Sequence, residues 1–340
     1  MADTAVQDNH THSIVGARLQ PAAGEGDAAD LPYLGIATAL GRGRVVPFLG
    51  AGASVFHRPR GAAPDRLFCP PTGAALAERL AALAGFPEGP MASLQRQNLP
   101  LVASYFGLVA LGDGFLREEL REVFSPEFEP NGLHRLLASI AKEKPQLVVT
   151  TNYDDMVERA FDRAGVPYHL VVTNMGDIEK AGSLRHRPPG ANGYDLVQPK
   201  KLDVSLEEAS IIYKMHGSIN RISREDDSYV ITEEDYVRFL GGFSSKQLVL
   251  VPPLLAAMMK TRHFLFLGYS LRDWNLRVLL DMLSQFDNNA SRLQSWAIQY
   301  DPDLVEERIW ERKSVNVFGL DLQTFVNDLA RVIGASITPS

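Results

Sequence analysis

The sequence predicts a doubly wound α/β domain, and three observations carry that prediction. Short β-rich runs alternate with helically spaced ones along the chain. Several of the β-rich runs are apolar on both faces, as expected of parallel strands covered on both sides by helices. Polar and glycine residues recur at the ends of four of these runs, where the ligand crevice of an open α/β sheet lies.

The elements follow in chain order. The first thirty residues hold no apolar run long enough for a signal peptide and no basic start, so 1–30 is expected to be a disordered tail and 31–335 the domain. RVVPFLG (44–50), QLVVTT (146–151), HLVVT (169–173), IIYKMHG (211–217), HFLFLGYS (263–270), SWAIQY (295–300) and SVNVFGL (314–320) read as strands. GAALAERLAALAG, FLREELREVF, GLHRLLASIAKE, DDMVERAFDRAG and LRDWNLRVLLDMLSQF carry helical spacing. In the last, Leu271, Trp274, Val278, Leu279, Met282, Leu283 and Phe286 form one apolar stripe. Residues 72–140 hold helices without a convincing strand, which predicts a helical insertion between the first two strands. Residues 174–209, rich in Gly, Pro and charge, read as a long surface excursion. Pro47 lacks an N–H within the first strand, which argues there for an edge or a bulge.

Composition excludes several function classes. A chain of 340 residues can bury a large core, and a net charge of -7 argues against direct nucleic-acid binding as its main task. The single cysteine, Cys69, excludes an intramolecular disulfide and a Cys-only zinc site, and fits a reducing, cytoplasmic location. The longest apolar stretches are broken by prolines and fall short of the roughly 20 residues of a membrane span.

Four strand ends carry the chemistry. The first strand runs into Gly50-Ala51-Gly52-Ala53-Ser54, where glycines let backbone approach a phosphate group. As a dinucleotide fingerprint it is incomplete: Val55 stands where a small residue is wanted, and HRPRGAAPD breaks any helix directly after it. LVVTTNYDDMVERAF delivers Thr151, Asn152 and Asp154, IIYKMHGSIN delivers His216, and FLFLGYSLRDWN delivers Gly268, Ser270 and Asp273. Asn152 with Asp155, and Ser270 with Asp273, also match an N-cap with an acidic residue three positions on. His134 and His263 read as structural histidines, and so would His216 outside this company.

Together these segments resemble the sirtuin-like (silent information regulator 2-like) domains of the bacterial anti-phage NAD-hydrolase type. GAGAS resembles the family's nucleotide-binding glycine motif, TTNYD its T-x-N-x-D segment, KMHGSI its catalytic histidine segment and FLGYSLRDWN its second nucleotide-binding loop. The resemblance implies a Rossmann-like sheet that binds NAD as substrate, without a metal. It implies Asn152 as the positioning group and His216 as the general base, with Gly50, Ala51, Gly52, Ser54, Thr151, Asp154, Gly268, Ser270 and Asp273 around the dinucleotide. No cysteine follows Cys69, so the four-cysteine zinc module of deacylating sirtuins is missing, and VITEEDY (230–236) resembles the non-deacylase branch. NAD hydrolysis to ADP-ribose and nicotinamide in abortive infection is therefore the implied activity. A homo-oligomer and a co-encoded HerA-type ATPase or short Argonaute are the implied partners. A protein deacylase or ADP-ribosyltransferase, and a non-catalytic NAD or ADP-ribose sensor, stay open.

Overall fold

The computed structural model describes residues 31–55, 68–90, 92–110, 112–174, 182–244, 251–269 and 293–335. The expected tail, the expected helix over 271–286, and Ser270 and Asp273 lie outside the described residues.

The chain enters through α1 (Tyr33–Gly41) into β1 (Val45–Leu49). It then passes through α2 (Gly73–Leu83), α3 (Ala92–Gln95), α4 (Leu99–Val109), α5 (Asp113–Phe124) and α6 (Gly132–Glu143) before reaching β2 (Leu147–Thr150). Next come α7 (Met156–Ala164), β3 (Tyr168–Thr173), β4 (Leu184–Arg187), β5 (Asp195–Val197) and β6 (Ser210–Lys214). A short hairpin of β7 (Gly217–Ser218) and β8 (Ser228–Tyr229) leads to α8 (Glu233–Ser244), α9 (Pro253–Lys260) and β9 (His263–Leu267). The chain closes with β10 (Ser295–Gln299), α10 (Leu304–Glu311), β11 (Val315–Gly319) and α11 (Leu322–Ile333).

Nine of the described strands form one sheet in the order β11-β10-β9-β1-β2-β6-β3-β4-β5, parallel except for β4 and β5. Side chains of β1 alternate between two cores, as the strand period demands. Val45 and Leu49 face the cluster built with α1, α6, α7 and α11, whereas Val46 and Phe48 face the one built with α8, α9 and Trp310 of α10. Helices therefore cover both faces, the doubly wound arrangement that the sequence predicts.

Two expectations are corrected. Pro47 is neither at an edge nor in a bulge: β1 is central and pairs with β9 from Val45↔His263 to Leu49↔Leu267. The parallel ladder explains why proline is tolerated. Arg44 and Gly50 bond toward β9 while Leu49 O accepts from Thr151 on the β2 side, so the Pro47 nitrogen faces β2. Pairing with β2 begins only at Phe48↔Val149, beyond that nitrogen. The stretch 174–209 is also more than a surface excursion, because β4 and β5 within it extend the sheet in antiparallel sense. Its Arg, His and Asp content masks both strands, although only β5 is an edge; on the inner strand β4, Arg185 pairs with Asp226 and His186 with His169.

Helices α2, α4 and α5 have a core of their own, and it packs on Tyr153, Ile219, Tyr229 and Ile231. These residues follow β2 and β6, so the helices between β1 and β2 rest on the carboxyl edge of the sheet. Helix α6 belongs instead to the sheet's own cover.

Candidate active site

The strand order reverses between β1 and β9, since the chain leaves β1 toward β2 and returns on the other side at β9. Ligand crevices of open α/β sheets lie at that point, outside the carboxyl ends. Here the two ends are pressed together. Gly50 N donates to Leu267 O at 3.0 Å and Gly52 N to Gly268 O at 2.9 Å. A Cβ on Gly50 would lie 2.6 Å from Gly268 O, and one on Gly268, whose φ is +68°, would lie 2.0 Å from Ala53 N. Only glycine permits that approach. The amides of Ala53 and Ser54 close the short turn on Gly50 and Ala51 carbonyls, which leaves the Ala51 N–H without an intramolecular partner among the described residues.

Asn152, Ser54 and Asp154 form a connected group beside this turn. Asn152 Nδ2 donates to Gly50 O at 3.0 Å and to Ser54 Oγ at 3.1 Å, and Ser54 Oγ donates to Asp154 Oδ2 at 3.0 Å. The bonds fix the amide's orientation: both its hydrogens are engaged, and its oxygen has no hydrogen-bond partner among the described residues. Asp154 Oδ1 accepts from Met156 N at 3.1 Å and so caps the start of α7. Burial raises the Asp154 carboxyl above its ordinary pKa, opposed by the Lys214 charge and by the bonds from Met156 and Ser54. The N-cap pairing of Asn152 with Asp155 does not occur. Asn152 N–H is held by Thr150 Oγ1, and Asp155 takes a bidentate bond from Arg221 at 2.8 and 2.9 Å.

His216 sits at the end of β6, next to that group along the carboxyl edge. Met215 N donates to Thr150 O, and Ile219 N to Tyr153 O, which moors the histidine segment to the loop carrying Asn152. Its ring is 3% exposed and meets Tyr236 and Phe239 edge-on, with Nε2 buried and unpartnered among the described residues. Burial pushes its pKa down to about 3, well below the ordinary 6.5 that the sequence suggests. As placed, His216 is a neutral hydrogen-bonding group. Gly217, at φ +84°, makes this fold possible, because a Cβ there would lie 1.9 Å from Ser228 O across the hairpin.

Of the residues singled out in the sequence, the structure brings together Gly50, Ala51, Gly52, Ser54, Asn152, Asp154 and Gly268, with Thr151 tied by its hydroxyl to Tyr269 OH at 2.6 Å. Sequence reasoning missed four supports. Tyr269 packs against Phe48 beside the turn, the two rings tilted by 58°. Asn131, which caps α6, donates from Nδ2 to Ala53 O at 2.7 Å and pins the turn from behind. Lys214 and Glu158 lie buried below the loop and pair at 2.9 Å. The signal for Lys214 was present: a charge inside the apolar run IIYKM.

A family model described as SIR2-like domain matches residues 146–318, which contain Asn152, Lys214, His216 and Gly268. Among curated proteins the chain is similar to the NAD(+) hydrolase ThsA of Enterococcus faecium, 29% identical over 192 residues, 56% of this chain and 33% of the relative. It is also similar to Defense-associated sirtuin 2 of Bacillus subtilis, 21% identical over 201 residues, 58% of this chain and 16% of the relative. The NAD(+) hydrolase ThsA of Acinetobacter baumannii matches at 28% over 194 residues, again 56% and 33% of the two chains. The chain thus spans a third or less of the length of these relatives. A solved Sir2 enzyme structure covers 89% of this chain and 97% of its own at 13% identity with a TM-score of 0.42, a likeness too loose to carry an argument.

Proposed function

The chain belongs to the SIR2-like domain family, and from that membership we propose that it is an NAD+ glycohydrolase acting at the carboxyl edge of its sheet. The observation that carries the reading is the convergence of the glycine turn with Asn152, Ser54 and Asp154 at the switch point between β1 and β9. Relatives named for NAD+ hydrolysis and for defence support it.

In the reaction the C1′–N bond to nicotinamide breaks, its electron pair passes to the pyridinium nitrogen, and C1′ takes the oxygen of water, which loses a proton. Charge spreads over C1′ and the ring oxygen in the transition state. The group needed there is a fixed dipole with an exposed acceptor, and the Asn152 carboxamide is held as one by its two donated bonds. Its free oxygen orients the attacking water or a ribose hydroxyl. The Ala51 N–H and the close glycine backbone receive the diphosphate. His216, kept neutral by burial, is in this reading the base that accepts the proton of the attacking water or a ribose hydroxyl and passes it on to solvent. Thr151, Ser270 and Asp273 complete the dinucleotide contacts in this reading, with no metal called for.

The biological role follows by the family resemblance: a cytoplasmic toxic effector of anti-phage defence that depletes NAD+ in abortive infection, working as a homo-oligomer with a co-encoded HerA-type ATPase or short Argonaute. Incubating the purified chain with NAD+, with and without such a partner, and separating the products by chromatography tests the activity. Equal release of nicotinamide and ADP-ribose without an acceptor is expected. Release that depends on an added acyl-lysine peptide or acceptor protein would make it a deacylase or transferase instead. Binding without turnover under every condition would make it a sensor.

A further inference from the structure

Lys214 is the one charged residue of β6, and it is fully buried. It donates to the backbone carbonyl of Asp154 and, at 2.9 Å, to Glu158 Oε1 in the first turn of α7. Desolvating two charges is costly, and an apolar pair of similar volume commonly yields an equally or more stable fold. Packing alone therefore does not account for the pair. What an apolar pair lacks is a donor for Asp154 O. Tyr153 O is taken by Ile219 N and Asp155 O by Arg159 N at the start of the α7 ladder, so the Asp154 carbonyl between them is left to Lys214. The same residue carries the side chain that orients Ser54, which in turn receives the Asn152 amide. Lys214 also lies two positions before His216, so it joins the strand end bearing the histidine to the loop bearing the asparagine.

We propose that Lys214, with Glu158 as its counter-ion, is a positioning residue: it holds the 151–155 loop so that Asn152, Ser54 and Asp154 present a fixed array to the ribose end of NAD+. The geometry stands by itself, and its consequence for turnover rests on the NAD+ glycohydrolase reading.

The test is the double variant Lys214→Met/Glu158→Leu in the full chain, because Lys214→Met alone leaves a buried carboxylate unpaired and endangers folding. Three quantities are measured: the melting temperature, hydrogen exchange in peptides spanning 150–156 and 263–267, and kcat and KM for NAD+. The expected result is an unchanged or higher melting temperature, with exchange at 150–156 about tenfold faster while β9 stays protected. With it, kcat falls about 100-fold at little change in KM, as a misplaced catalytic group demands. Wild-type exchange at 150–156 in the folded double variant overturns the proposal. So does a lower melting temperature with protection lost throughout the sheet, which marks a merely structural pair. If the wild-type chain releases no nicotinamide under any condition, the NAD+ reading falls, and the exchange data still decide on Lys214.

Discussion

The two buried histidines, His216 and His134, illustrate how burial decides chemistry at single residues. Both imidazoles are pushed down to about 3, His216 by burial alone and His134 by burial with help from Arg135 and Lys214. His134 must also stay neutral to accept the Asn131 N–H through Nδ1 in its capping box. Because the folded pKa is depressed below the unfolded 6.5, the unfolded state binds more protons between those values, and stability falls as pH drops through that window. Going from pH 7 to 5 should cost roughly 2 kcal/mol per histidine. Asp154 and Glu158, raised by burial, work in the opposite sense, since their contribution is lost as pH rises. Denaturant unfolding of wild type, His134→Asn and His216→Asn at both pH values isolates the histidine part: each variant should show a smaller loss on acidification. The sequence placed His216 at a strand end correctly but not its pKa, because the rings of Tyr236 and Phe239 that dry it come from a helix after the hairpin.

Secondary-structure elements far apart in sequence meet at the glycine turn and at the start of α7. Gly268→Ala places a Cβ into Ala53 N at a left-handed φ and should destabilise by roughly 2–4 kcal/mol, read by chemical denaturation, while opening the glycine turn. Arg221 joins the N-terminus of α7 to the end of α5 through Asp155 and the carbonyls of Ser125 and Pro126. Arg221→Met should cost about 1–2 kcal/mol, reduced by partial exposure, and raise hydrogen exchange near residues 113–126. The seven parallel strands were legible because continuous apolar runs report a sheet covered on both faces. Strands β4 and β5 were not: Asp195 lies on the edge strand β5, while Arg185, His186 and Arg187 of the inner strand β4 are accommodated by Asp226, His169 and Tyr168, partners that the runs LRHR and DLV do not disclose. Pro47 misled for a subtler reason: proline marks an edge only when its nitrogen faces a ladder, and here the ladder begins one residue later.

For the whole molecule, helices α2, α4 and α5 matter as the wall over the carboxyl edge, sharing a core with Tyr153 and Ile219 from the two loops that carry Asn152 and His216. That edge is thus covered in part by helices that were legible in sequence, while the surface they cover was not. The most direct measurement is single-turnover cleavage of NAD+ by the full chain and by Asn152→Ala, with NAD+ affinity determined in parallel by calorimetry. The expected result is an affinity changed only slightly and nicotinamide release slowed by about 10²–10³. Wild-type cleavage by Asn152→Ala would contradict a site built on that carboxamide.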